Sequence, residues 1–224
     1  MPNPRPASRP GLTRERIVSA ATAVVDDGGV EALTMRAVAQ RLGAGAMSLY
    51  RHVSGRDELL DLVLEAMAAD LPQTPLTGDW RADLAIVARD VRAGLLRRPH
   101  LTVLLTSRSG RGTAELPMLE RTIGVLRAAG FAARDAALAN QALGNYVAGV
   151  ALWEAAGLAG TSGEERAARR RAAAGIVASL PAERFPNLAW VGQDIVSGSV
   201  DDRFEFGLAL LLDGLASALA RPPA

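Results

Sequence analysis

Thr34–Arg56 reads TMRAVAQRLGAGAMSLYRHVSGR. Apolar residues at three- and four-residue steps, Val38, Ala39 and Leu42, then Leu49 and Val53, fall on either side of Gly43-Ala44-Gly45. A helix that ends in a sharp turn needs a left-handed residue at its close, which glycine supplies without a side-chain clash. Thr34 stands where an N-cap hydroxyl belongs. The spacing predicts a helix from Thr34 to Leu42, a turn at Gly43, and a second short helix from Ala46 to about His52. A pair of helices joined this way is a helix-turn-helix, whose second helix enters the DNA major groove.

With the inward positions assigned, the side chains left outside sort by chemistry. Arg51 can donate two hydrogen bonds to a guanine edge. Met47 and Ala46 offer apolar contact, as to a thymine methyl. Ser48 can bond a base or a phosphate. Thr34, Arg36, Tyr50, His52 and Arg56 are placed to grip phosphates. No catalytic residue is expected.

Upstream, Thr13 reads as the N-cap of a helix closed by Gly28-Gly29, with Ile17, Ala20, Ala21, Val24 and Val25 inward. Downstream, a helix follows Ser54-Gly55 and carries Asp57 and Glu58 in its first turn, where acids suit the helix dipole. Up to Arg56 there are eight arginines and four carboxylates, against a chain total of +1, so the remainder is slightly acidic. A basic head on an acidic body fits a DNA-binding head. Every cation is arginine, which reads as coding bias and says little about function.

The chain has 224 residues and no cysteine, which excludes disulfides, thiolate metal sites and cysteine nucleophiles. The Pro-rich MPNPRPASRPG is expected to be a disordered tail, not a signal peptide. No apolar run approaches the ~20 residues of a membrane helix, so a cytoplasmic protein with no membrane partner is expected. Three regions result: the tail 1–11, a DNA-binding domain with its connecting helix 12–70, and a helical domain 71–224. Leu71–Gly78, LPQTPLTG, reads as a linker. Helices are predicted over Asp79–Arg97, His100–Ser107, Ala114–Ala129, Arg134–Leu158, Gly163–Ser179 and Asp201–Ala220. Thr106–Ala114 is expected to be a mobile loop and Leu180–Ser199, with two prolines, to be irregular. The fold class is all-α: a three-helix head plus connecting helix, then a helical bundle.

Leu12–Leu64, and above all LGAGAMSLYRHVSGRDELL (Leu42–Leu60), resembles the TetR family of transcriptional regulators. The Leu-Tyr pair, the His-Val that follows and the basic residue before Asp-Glu-Leu-Leu match the family pattern. Arg56 replaces the usual lysine of that element. Ala46 stands where many members carry a polar side chain, which leaves fewer hydrogen bonds for reading bases. RFEFGLALLLDGLASAL (Arg203–Leu219) is similar to the terminal helix of the tetracycline-repressor subgroup. The resemblance implies an all-helical, homodimeric, ligand-binding C-terminal domain and double-stranded DNA with a palindromic operator as partner. Repression is the expected sense of control.

In the body, Arg134–Leu158 is rich in alanine and glycine, and the last helix carries a stripe of Phe204, Leu208, Leu211, Leu212, Leu215 and Leu219. Small residues let helices approach closely. These features read either as an intrachain core or as a four-helix interface with a second copy, and the dimer is favoured. His100, Leu104, Met118, Leu119, Ile123, Asn140, Tyr146 and Trp153 are candidates for an effector pocket of apolar walls with a few polar groups. Each taken singly fits a core position at least as well. Arg166, Arg169, Arg170 and Arg171, with Glu164 and Glu165 beside them, read as a solvated helix face. Two histidines do not make a multi-histidine metal site, and no cofactor is implied. Three rivals remain open: a DNA-binding regulator without an effector, governed by a protein partner or abundance; an all-helical enzyme; and a structural bundle. No phosphate loop, metal motif or nucleophile–base spacing supports the enzyme.

Overall fold

The computed structural model describes residues 12–99, 101, 102, 113, 115–158 and 162–221. Among them there is helix and turn and no strand. The expected tail 1–11, the short helix predicted over His100–Ser107 apart from Leu101 and Thr102, which are helical and buried, and nearly all of the loop Thr106–Ala114 lie outside the described residues. The chain forms two compact units. One runs to Asp70 and takes in Thr113 and Glu115; the other holds Leu71–Thr102 and continues from Leu116.

In the first unit, α1 (Arg14–Gly28) begins where Thr13 Oγ1 accepts the Arg16 N–H at 3.3 Å. It stops at Gly29, whose φ is 73°. A 3-10 turn (Val30–Ala32) leads to α2 (Met35–Leu42), capped by Thr34 Oγ1 accepting the Ala37 N–H at 3.0 Å. Gly43 closes α2 in the left-handed region at φ 62°. The second helix of the pair, α3, is shorter than predicted, Ala46–Leu49. Tyr50–His52 instead form a tight turn in which the His52 N–H reaches Leu49 O at 2.8 Å and the Val53 N–H reaches it at 3.0 Å. That tightening carries Val53 into the core, where it is buried. α4 (Arg56–Ala69) follows. Ile17, Ala21, Val25, Leu33, Val38, Leu49, Leu59 and Val63 are fully buried here. At roughly 1.5–3 kcal/mol for each large apolar side chain, this core holds the small unit together.

The second unit contains α5 (Trp80–Arg97), α6 (Leu116–Ala128), α7 (Ala133–Leu158), α8 (Gly163–Ala178), α9 (Pro186–Val191) and α10 (Val200–Leu219). Reciprocal capping boxes, Ser162 with Glu165 and Ser199 with Asp202, start α8 and α10. Leu180–Ser199 is not irregular throughout: Pro186 opens α9, and a 3-10 turn follows at Gly192–Ile195. Proline at the first helical position forfeits only an N–H that has no intrahelical partner there.

Ion pairs fix the direction of α10. Arg81, Arg89 and Arg92 of α5 meet Asp213, Glu205 and Asp201 in turn. The partner number falls as the arginine number rises, so the two helices run antiparallel. Between them lies a core of Leu84, Ala88, Leu126, Ala139, Leu143, Phe204 and Leu208. Arg92 also grips Glu154 of α7 through two bonds of 2.8 and 2.9 Å and lies 4.6 Å over the Phe204 ring. Leu71–Gly78 is more than a linker. Asp90 accepts the Thr74 N–H (3.0 Å), the Thr74 hydroxyl (2.7 Å) and Arg121 Nη1 (2.8 Å). Asp83 accepts the Thr77 N–H (2.6 Å), its hydroxyl (2.8 Å) and the Gly78 N–H (3.0 Å). Both aspartates are buried, and the segment is strapped along α5.

Candidate functional site

α3 is held from one side only. Leu49 is 0% exposed while Met47, two residues earlier, is 79% exposed. Ala46 and Ser48 are half-buried; Tyr50, Arg51 and His52 are exposed. Arg51 Nη2 donates to Ser48 Oγ at 3.4 Å, one turn back. Thr34 and Arg36 are exposed at the start of α2. The Thr34 oxygen accepts the cap hydrogen bond, so its hydroxyl hydrogen can still donate.

The arginines of the first unit divide by partner. Arg41 pairs with Asp27 at 2.6 Å and Arg14 with Glu58 at 3.7 Å. Among the described residues, Arg36 and Arg51 have no ion-pair partner. Arg56, expected on a phosphate, has a structural task. Its Nε donates to Leu33 O at 2.9 Å and its Nη2 to Val30 O at 3.0 Å, tying α4 to the turn before α2. A sequence signal for this existed: a cation in a helix's first turn opposes the dipole, so something else must hold it there. Below it, Glu58 accepts the Ser54 N–H at 2.7 Å and the Ser54 hydroxyl at 2.9 Å. The Ser54 backbone bond, then its hydroxyl, holds the Glu58 carboxyl below the usual carboxylate range.

The candidate effector residues do not converge. Tyr146 and Trp153 line one open-sided cleft of about 800 Å³ between α7, α8 and the start of α10. Met118, Leu119, Ile123 and Asn140 are not among its lining; Ile123 packs on the core and Leu119 is exposed. His100 and Leu104 lie outside the described residues. Sequence reading missed Arg166, Arg169, Arg170 and Arg203 on the cleft wall. The first three recur at three- and four-residue steps, which puts them on one side of α8.

The small residues of α7 and the stripe of α10 also divide. Ala136, Ala139, Ala151 and Ala155, with Phe204, Leu208 and Leu212, are buried within the chain. Half of the stripe, Phe204, Leu208 and Leu212, is therefore intrachain core, while Leu211, Leu215 and Leu219 are only partly buried. The large exposed apolar residues of these helices are Leu138 and Trp153 on α7 and Val200, Phe206 and Leu210 on α10. Among the described residues no helix is long and apolar enough to cross a membrane.

Comparison with known proteins agrees with this geometry. The family described as "Bacterial regulatory proteins, tetR family" matches residues 17–63, and "Tetracyclin repressor-like, C-terminal domain" matches residues 71–219. The chain is 33% identical to the HTH-type transcriptional repressor DrrR1 of Streptomyces coeruleorubidus over 97% of this chain and 82% of that protein. It is 31% identical to the class A tetracycline repressor protein from transposon 1721 of Escherichia coli, covering 92% and 91% of the two. Among solved structures, the Streptomyces coelicolor TetR family protein ActR in complex with actinorhodin superposes with a TM-score of 0.85 at 33% identity, over 95% of this chain and 99% of that one. The curated relatives are repressors and regulators of transcription, not enzymes. With the first unit matched over residues 17–63 and the helical body over residues 71–219, this chain belongs to the TetR family of DNA-binding transcriptional regulators.

Proposed function

We propose that the protein is a homodimeric repressor that leaves a palindromic operator when a small molecule binds its body. The observation that carries the DNA half is α3 with the turn after it, which buries Leu49 and leaves Met47 and Arg51 outside. Arg51 reads a guanine edge. Met47 and Ala46 meet a thymine methyl, and Ser48 reaches a base or a phosphate. Thr34, Arg36, Tyr50 and His52 hold phosphates. Arg56 acts as a positioning residue, because two of its donors are already taken within the unit.

Two-fold symmetry in the protein matches a two-fold operator, with half-sites one helical turn or a multiple apart. Leu138, Phe206 and Leu210 supply apolar surface for the second copy. α4 ends at Ala69 and the chain passes directly into the strap on α5. A ligand that favours one arrangement of the body thereby biases the spacing of the two recognition helices, with couplings of about 1–3 kcal/mol typical of such systems. The test is selection of bound duplexes from a random pool. A two-fold symmetric consensus is the expected result; enrichment of an asymmetric site, or none, overturns the reading.

A further inference from the structure

We propose that Met47 is an oxidation site: a hydroperoxide-class oxidant converts its thioether to a sulfoxide on the exposed side of α3 and thereby loosens the protein from DNA. The consequence for DNA rests on the function proposed above; the oxidation itself depends only on the sulfur being within reach.

The chain has no cysteine, so its five methionines carry all of its sulfur. Met67 is 4% exposed and Met35 and Met118 are half-buried, whereas Met47 is 79% exposed. Susceptibility to oxidation follows exposure. With hydrogen peroxide, a lone pair of the Met47 sulfur attacks one peroxide oxygen, the O–O bond breaks, the S=O bond forms and water leaves. Sulfur gives up two electrons and the peroxide takes them. The effect stays at the surface, because α3 is anchored through Leu49, which is fully buried, and not through Met47. Oxygen on Met67 would instead enter the core of the unit.

The new oxygen lands beside a loosely held arginine. A thioether is a weak acceptor, and the sulfoxide is polar. Arg51 follows Met47 by four residues, and Tyr50 between them keeps near-helical angles, φ −61° and ψ −14°. Side chains at that spacing start one turn apart on the same side. Among the described residues the Arg51 side chain bonds Ser48 alone, at 3.4 Å and to a neutral hydroxyl. A sulfoxide oxygen competes for that guanidinium and draws it away from a guanine edge. Toward the bases, the oxygen puts a polar group without a partner where an apolar contact stood, and taking it out of water costs binding energy. Both effects weaken the complex. Neither breaks a contact inside the fold, so enzymatic reduction of the sulfoxide restores the starting protein.

The experiment treats the full-length protein with hydrogen peroxide, with and without the duplex selected from the random pool. Peptide mass spectrometry follows oxygen addition at each methionine, and fluorescence anisotropy follows duplex affinity. Met47 is expected to gain its oxygen before Met35, Met67 and Met118, and more slowly when duplex is bound. Affinity is expected to fall about tenfold, the scale of one base-pair contact, as Met47 is oxidised. Treatment with both stereospecific methionine sulfoxide reductases should bring it back. Met47→Leu, measured against its own untreated affinity, should lose nothing on oxidation, while Met35→Leu/Met118→Leu should lose affinity as the unsubstituted protein does. In Arg51→Ala the loss on oxidation should be smaller, because one of its two causes is gone. Circular dichroism melts should be the same before and after treatment. Oxidation of another of these methionines ahead of Met47, full affinity with Met47 oxidised, a loss that persists in Met47→Leu, or a loss that comes with a lowered melting temperature overturns the proposal. Untreated protein that binds no duplex overturns the function proposed above and this switch with it; untreated protein that binds, and binds equally well once oxidised, overturns the switch alone.

Discussion

Arg51, Arg36 and Arg56 are three arginines of one small unit with three different physical situations. Arg51 is exposed in the turn that follows α3, and among the described residues its side chain bonds Ser48 alone. Arg51→Ala is expected to cost about 1–3 kcal/mol in operator binding and to relax selectivity at one base pair. Fluorescence anisotropy on wild-type and single-substitution duplexes checks it. Arg36 has no partner among the described residues. Arg36→Ala should weaken all duplexes alike and lower the slope of log affinity against log salt by about one for each subunit's lost phosphate contact. Arg56 differs from both, since its donors close the turn at Val30 and Leu33. Arg56→Lys keeps the charge but loses the planar fork. It should therefore destabilise the unit, by about 1–3 kcal/mol in urea unfolding; unchanged stability with weaker DNA binding would return Arg56 to the phosphates. The positions of Arg36 and Arg51 were legible in sequence, because a helical period alone puts them opposite Val38 and Leu49. The role of Arg56 was not, because its partners are backbone carbonyls 23 and 26 residues away.

Among the elements, the caps of α1 and α2 are local devices: a threonine three residues from its N–H partner, a glycine at positive φ. The strap on α5 is not local, and its two buried aspartates give it a pH signature. Burial pushes the carboxyls of Asp83 and Asp90 up, but the hydrogen bonds from Thr77, Gly78, Thr74 and Arg121 outweigh it and hold both below the ordinary 3.8. A carboxyl depressed in the folded state stabilises above its unfolded value, and that stability is lost as pH falls through the folded one. Urea midpoints should therefore hold down to about pH 4 and fall steeply below it. The fall should be shallower in Asp83→Asn/Asp90→Asn, whose midpoint is already lower at neutral pH because Arg121 then lacks its charged partner. Helix contact gives a second test. A Cβ at Gly207 of α10 would lie 2.8 Å from two ring carbons of Tyr146, whereas one at Gly124 of α6 meets nothing within 4 Å. Gly207→Ala should destabilise by about 1–3 kcal/mol, and Gly124→Ala should stabilise by about 0.5–1 kcal/mol. Thermal melts of the two variants displaced in the same direction would contradict this packing.

For the whole molecule, the exposed Phe206 and Leu210 carry the proposed self-association. Phe206→Arg/Leu210→Arg should shift the sedimentation coefficient to that of a monomer and weaken operator binding together; a variant that stays dimeric places the interface elsewhere. Which face of α10 is available was decided by the tertiary structure alone. The stripe of Phe204, Leu208 and Leu212 is apolar and periodic, and so fits an intrachain core or a partner equally well until α5 and α7 are seen to cover it. The same holds for the cleft: helical period groups Arg166, Arg169 and Arg170, but only packing brings them to the same cleft as Trp153. By itself the sequence determined the order of the helices in the head, the caps of α1 and α2, the turn at Gly43 and the exposure of Met47 on α3, but not where α3 ends. These follow from interactions within three or four residues and from the alternation of apolar and polar faces. The strap, the Arg56 ties, the buried faces of α7 and α10 and the cleft wall were decided only by the tertiary structure. Each depends on groups brought together from distant parts of the chain, and local spacing carries no information about which distant partner a side chain meets.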